Sequence, residues 1–117
     1  MAADVRDPAT ELPLSPPVFH VLLSLADGEK HGYAIMKEIE TRTDGRVRLS
    51  TGTLYGIIKR QLENGWIRQS AAGSTDRRTA YRLTAYGRKV ALAEAERLRD
   101  LVRSAETKAL LSSPARG

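Results

Sequence analysis

The chain has 117 residues, enough for one domain with a modest core and too few for two. It contains no cysteine, which excludes disulfides, cysteine-zinc sites, a thiol nucleophile and thiol-based redox sensing. A formal charge of +5 and a pI near 9.9 favour an anionic partner, nucleic acid first.

Residues 1–13 are small, charged and proline-bearing, with Asp4, Asp7 and Glu11 against Arg6, and read as a disordered leader. They hold no hydrophobic signal core, and no apolar run in the chain approaches about 18 residues. A cytoplasmic protein with no membrane partner is expected. The run from Leu14 to Phe19 (LSPPVF) then opens a first helix: Ser15 as N-cap, Pro16 at the first helical position, Leu14 stapling onto Phe19. Phe19, Leu22, Leu23 and Ala26 recur at helical spacing, and Val18, Val21 and Leu25 widen the stripe. Such breadth implies burial on more than one side, which assigns Phe19 and Leu22 to an interface with a second copy. His20, lying among these positions, reads as a satisfied, partly buried imidazole and not as a catalytic base. It and His31 fall in separate segments without an HxxxH spacing or a carboxylate cluster, so no metal and no cofactor are expected.

A second helix runs from about His31 to Thr43, with Ile35, Met36 and Ile39 inward, and Asp44-Gly45 ends it. Arg46 to Leu49 alternates polar and apolar residues and reads as a short strand. The next stretch, Ser50 to Asn64 (STGTLYGIIKRQLEN), is the most informative. Ser50 or Thr51 can cap a helix, Asn64-Gly65 closes it, and Leu54, Ile57 and Ile58 define one apolar face. The opposite face carries Gly52, Tyr55, Gly56 and Lys59, with Thr53 and Arg60 at its margin. Two outward glycines cost of order 1 kcal/mol each relative to alanine. They make sense where a large object such as a DNA major groove must approach the backbone.

Trp66 to Ser70 and Thr79 to Leu83 read as two strands around a loop, residues 71–78, that ends in Arg77 and Arg78. The loop is too long for a tight turn and should project as a basic wing, its arginines meeting phosphates or a minor groove. From Ser50 to Leu83, Lys59, Arg60, Arg68, Arg77, Arg78 and Arg82 face only Glu63 and Asp76. Thr84 can cap a last helix from Ala85 to around Leu111. Ala91, Ala95, Leu98, Val102, Ala105 and Ala109 step by alternating four and three residues, with Leu101 alongside. A domain this small cannot bury such a seam alone, so this is read as a dimerisation helix. Residues 112–117 should fray.

This order of elements predicts a mainly α protein with a small β wing, a winged helix-turn-helix at 14–83 followed by a long dimerisation helix at 84–111. The chain also resembles the short-form PadR family of bacterial transcriptional regulators from Leu14 to about Leu110. The likeness lies in HGYAI at 31–35, GTLYGIIKR at 52–60, ENGWI at 63–67 and RRTAYRLT at 77–84, with Gly87. It implies a homodimeric repressor that reads an inverted repeat of double-stranded DNA, with binding relieved by a small effector in many relatives. It places Gly52, Thr53, Tyr55, Lys59 and Arg60 on the DNA-reading helix and Arg77 and Arg78 in the wing. Gln61 departs from the usual apolar core residue, with Leu62 expected to take its place by a small rotation. Trp66 departs from the common leucine and is expected to add core or interface bulk. In the returning strand Thr79-Ala80 sits where relatives often carry an aromatic. The last helix has no aromatic beyond Tyr86, so the aromatic drug-stacking site of some relatives is not carried over.

Two other function classes are weaker. A winged-helix module that binds protein instead of DNA would show an apolar or acidic outward face on the third helix and no paired arginines in the wing. An enzyme would need a nucleophile spaced to a base or a phosphate-cradling glycine loop, and neither pattern is in the sequence.

Overall fold

Apolar residues run around more than one side of the first helix, α1 (Pro16–Ser24), and the other elements wrap it accordingly. Val21 and Leu22 are fully buried and Leu25 nearly so. The computed structural model describes residues 5–70 and 79–112. A short 3-10 turn (Pro8–Glu11) precedes α1; then follow β1 (Lys30–His31), α2 (Gly32–Arg42), α3 (Thr51–Glu63), β2 (Ile67–Gln69), β3 (Ala80–Leu83) and α4 (Ala85–Thr107). Helices α1, α2 and α3 pack on one another, and α4 lies against α1. The strands form one antiparallel sheet in the order β1-β3-β2, with Lys30 opposite Tyr81 and Ile67 opposite Leu83. Leu22, Ile35, Ile39, Leu54 and Ile58 supply the helical side of the core; Trp66, Ile67, Tyr81, Tyr86 and Val90 supply the rest. The fold is a winged helix-turn-helix carrying a long C-terminal helix of about 35 Å.

Four expectations need correction. Leu22 cannot form an interface with another copy, because it is fully buried inside its own chain's core. Residues 46–49 pair with no strand: Val47 and Leu49 turn inward from an extended loop that Thr43 holds by accepting the Val47 N–H at 3.1 Å. The third strand is instead β1, a residue pair too short to show any periodicity. Residues 5–13 of the leader are ordered. Arg6 donates to the Asn64 carbonyl at 2.7 Å and lies 3.9 Å over the Tyr86 ring, and the Tyr86 hydroxyl donates to Glu11 at 2.8 Å. The seam on α4 also stops short of Ala109, which sits beyond the helix with a φ of 64°.

His20 is satisfied as expected. Arg42 donates to its Nδ1 at 3.2 Å, and burial first, then the Arg42 charge, push its pKa down.

The end of α3 is joined to the start of α4 through one backbone carbonyl. Asn64 and Gly65 (φ 76°) turn the chain out of α3, with the Gly65 N–H donating to the Leu62 carbonyl and the Trp66 N–H to that of Gln61. This is the paired arrangement of a Schellman motif. The Trp66 carbonyl then accepts the Thr84 N–H at 3.0 Å and the Thr84 hydroxyl at 3.1 Å, and that hydroxyl also caps α4 by accepting the Gly87 N–H. Gly87 presses so closely on Trp66 that a β-carbon there would lie 2.6 Å from the Trp66 carbonyl carbon. Backbone cannot swing aside as a side chain can. Gly87→Ala should therefore cost about 1–3 kcal/mol or more, read as a lower urea midpoint at unchanged slope; a variant as stable as the parent would refute this packing.

The N-terminal segment is tied down a second time by Glu94, a carboxylate 1% exposed. It accepts from Arg97 Nε at 2.7 Å, from Arg97 Nη2 at 2.9 Å and from the Leu14 N–H at 3.2 Å. The Arg97 hydrogen bond, helped by the Leu14 N–H, holds its pKa below the ordinary value of 4.5 against the opposing effect of burial. A depressed folded-state pKa adds stability that is present above the unfolded value and lost as pH falls through the folded one. Glu94→Gln should cost about 1–3 kcal/mol at neutral pH. The gap between parent and variant should then shrink below pH 4.5, as followed by urea unfolding at each pH. A gap that stays constant down to the acid limit would show that the carboxylate charge is not what matters.

Candidate nucleic-acid interface

Helix α3 buries one face and exposes the other, and the division follows the sequence pattern. Leu54 and Ile58 are buried and Ile57 is half-buried. Gln61 completes that buried face at 1% exposure, so Leu62 does not replace it. The residue is admitted to the core because its Nε2 donates to the Val18 carbonyl at 3.1 Å. Ser50 caps the helix as expected, accepting the Thr53 N–H at 3.1 Å, and its hydroxyl donates to Thr53 Oγ1 at 3.0 Å.

Ser50, Thr51, Gly52, Thr53, Tyr55, Gly56, Lys59 and Arg60 are all exposed. The structure therefore gathers every described member of the candidate set on one element. Nothing in the chain lies within 4 Å of a β-carbon built on Gly52 or Gly56. Internal packing does not demand either glycine, and the bare backbone they leave faces outward. Tyr55 is a different case. Its side chain lies directly against Gly32, where a β-carbon would collide with the phenol ring. Gly32 thus leaves room for the Tyr55 ring to lie against the start of α2 while Tyr55 stays 43% exposed. The nearby Tyr81 hydroxyl is pushed up in pKa, by burial first and then by Tyr55.

Arg77 and Arg78 lie outside the described residues. The strands that lead to them carry a pair absent from the candidate set. Arg68 of β2 stands directly opposite Arg82 of β3, and both are exposed. Like charges opposite one another on one face of a sheet destabilise it. Such a pair fits a surface meant to lie against an anion. The sequence carried no direct signal of the pairing, which is visible only once the strand register is known. Tyr33, 64% exposed with Lys37 Nζ 5.8 Å from its ring centre, is another outward aromatic at the start of α2.

On α4 the proposed seam is partly open. Leu101 is 55% and Val102 45% exposed, Ala95 is exposed, and Ala91, Leu98 and Ala105 are half-buried. Phe19, also half-buried, lines a groove between α1 and α4 together with Leu98. Leu92, missed by the spacing, adds a further exposed apolar side chain. Among the described residues no three metal-ligating side chains cluster, and no helix is long and apolar enough to cross a membrane.

The family described as the transcriptional regulator PadR-like family matches residues 21–93, more than half of the chain. No curated protein sequence matches the chain. Among solved structures, a transcriptional regulator from Clostridium thermocellum is 29% identical with a TM-score of 0.67, covering 82% of this chain and 97% of its own. A PadR family transcription regulator from Clostridium difficile is 23% identical at a TM-score of 0.65, covering 83% of this chain and all of its own. A PadR-like transcription factor from Bacteroides fragilis, 18% identical, has the same TM-score over 77% of this chain and 86% of its own. With the three-helix core, the antiparallel wing strands and the long last helix in place, the chain belongs to the PadR-like family of transcriptional regulators and is a DNA-binding regulator by fold.

Proposed function

We propose that the chain is a homodimeric transcriptional repressor of the cytoplasm that reads a palindromic operator and is released by a small-molecule effector. The observation that carries this reading is the outward face of α3, where small, hydroxyl and basic side chains leave the helix backbone bare. Lys59, Arg60 and the wing arginines would neutralise phosphates or reach guanine edges. Thr51, Thr53 and Tyr55 would bond phosphates or meet thymine methyl groups. Two copies related by a two-fold axis would set their α3 helices about 34–36 Å apart, one DNA turn. Leu92, Leu101 and Val102 support the dimer, because exposed apolar side chains on a helix this long call for a second surface.

Fluorescence anisotropy on the DNA just upstream of the gene, against a shuffled duplex, tests the first part. The native fragment should bind more tightly, with affinity falling about tenfold or more between about 50 and about 200 mM salt. Gly56→Ala separates function from folding. It should raise the unfolding midpoint, a gain of up to about 1 kcal/mol, while weakening the native fragment by about tenfold through the methyl placed between helix and groove. Parental affinity in that variant would mean that Gly56 does not face DNA. For the assembly, Leu101→Asp should convert a sedimenting dimer to a monomer with unchanged helical circular dichroism. A variant that remains dimeric would move the interface elsewhere.

A further inference from the structure

Helix α4 ends in a turn that presents two leucines to solvent. The Leu110 N–H donates to the Ala105 carbonyl at 2.9 Å and the Ala109 N–H to that of Glu106 at 3.0 Å, a second Schellman arrangement. Its left-handed position is filled by Ala109 (φ 64°), where glycine would cost least. The residue after that position ordinarily packs back on its own helix. Ala105 offers Leu110 only a methyl group, and Leu110 stays 81% exposed and Leu111 51%. At the other end of α4, between α1, β3 and α4, lies a groove of about 350 Å³. Leu23, Ala26, Leu83 and Leu92 make its wall largely apolar, and Ala91 and Ala95 belong both to it and to the α4 seam. A cavity of about 150 Å³ holds a benzene ring, so the groove has room for two leucine side chains.

We propose that the Leu110–Leu111 turn of one copy fills this groove on a second copy, with the two α4 helices antiparallel; this rests on the dimer reading above. The seam by itself is poor in apolar area, because Ala91, Ala95 and Ala105 each contribute only a methyl group. A specific interface buries about 800 Å² on each partner, so further apolar surface is needed. The register supplies it. Arg88 and Lys108 lie ten residues, about 15 Å, on either side of Leu98, the middle of the seam. A two-fold axis at Leu98 that reverses the helices therefore brings the turn of one copy level with Arg88 and the groove of the other. Charge agrees with this placement. Glu106, which makes no ion pair among the described residues, comes to the level of Arg88 on the other copy. A parallel pair would set Glu106 against Glu106 and turn against turn, and would leave both grooves open. Leu83 belongs to β3, so each turn would rest against the DNA-binding domain of the other copy and not on α4 alone.

The chain has no cysteine, so Ser112→Cys takes a single nitroxide label just past the turn. Labelled copies are mixed with copies carrying carbon-13 leucine methyl groups, and mixed dimers form by exchange. The methyl signals of Leu23, Leu83 and Leu92 should broaden, and reducing the nitroxide should restore them. Broadening centred on Leu110 and Leu111 instead would show a parallel pair and overturn the proposal. A dimer with no broadening at the groove would overturn it too, by leaving the turn in solvent. Sedimentation of three variants tests the turn itself. Leu110→Ser with Leu111→Ser should raise the dimer dissociation constant about tenfold or more. Ala109→Val keeps both leucines but disfavours the left-handed turn, and should weaken the dimer several-fold, whereas Ala109→Gly should bind at least as tightly as the parent. Parental dissociation constants in the double-serine and valine variants would show that the turn takes no part. A parent that sediments only as a monomer would refute the dimer reading itself, and this pairing with it.

Discussion

The structure depends on the contact between Gly87 and the backbone of Trp66. Three elements converge there within a few ångströms: the end of α3, the first strand of the wing and the start of α4. The Trp66 carbonyl is the common acceptor, and Thr84 is bonded both to it and to the Gly65 carbonyl, the latter at 2.6 Å. Because Gly87 has no β-carbon, α4 starts flush against this turn. The direction of the long helix is therefore set by the end of the helix that carries the candidate DNA surface. A side chain at position 87 would act as a wedge between the two. In a dimer built on α4, that wedge would also change the angle at which two α3 helices meet one DNA molecule.

The outward face of α3 trades helix stability for access. Two glycines and several hydroxyl residues are weak helix formers, and a short isolated helix of this composition would not hold. Leu54, Ile58 and Gln61, sunk into the core, hold it from beneath, and Ser50 closes its first turn. The same logic applies in the wing. Arg68 and Arg82 repel across two strands that are otherwise anchored by Ile67 and Tyr81, both buried. In both places the apolar side supplies the stability that the exposed side gives up, and the exposed side is left free to be shaped by a polyanion.

What was legible in the sequence was whatever a periodic apolar pattern reports. The four helices and two of the three strands follow from it, and so does the exposure of every described residue assigned to DNA. What was not legible depends on single polar contacts between distant parts of the chain. Residues 5–13 have the composition of a disordered leader, yet Arg6, Glu11 and the Leu14 N–H each find a partner more than fifty positions away. Gln61 looked too polar for the core until Val18 offered a carbonyl. The alternation at residues 46–49 was real, but it reported inward-turned side chains in a loop and not a strand ladder. Leu22 failed as an interface residue for the opposite reason: a broad apolar stripe does not say whether its second side is covered by another molecule or, as here, by the chain's own helices.

Two of these distant polar contacts, Arg6 with Asn64 and Gln61 with Val18, fall on one end of α3. At its carboxyl end the helix is held by the Schellman turn, by the Arg6 guanidinium on the Asn64 carbonyl, where a cation also suits the helix dipole, and by Gln61 on α1. At its amino end it is held by Ser50 alone on the exposed side, with Leu54 and the Gly32–Tyr55 contact beneath. Thr51, Gly52 and Thr53, all exposed, thus begin the candidate DNA surface at the end of α3 that has fewer polar ties to the rest of the chain, while the carboxyl end is fixed by the turn that also sets the start of α4.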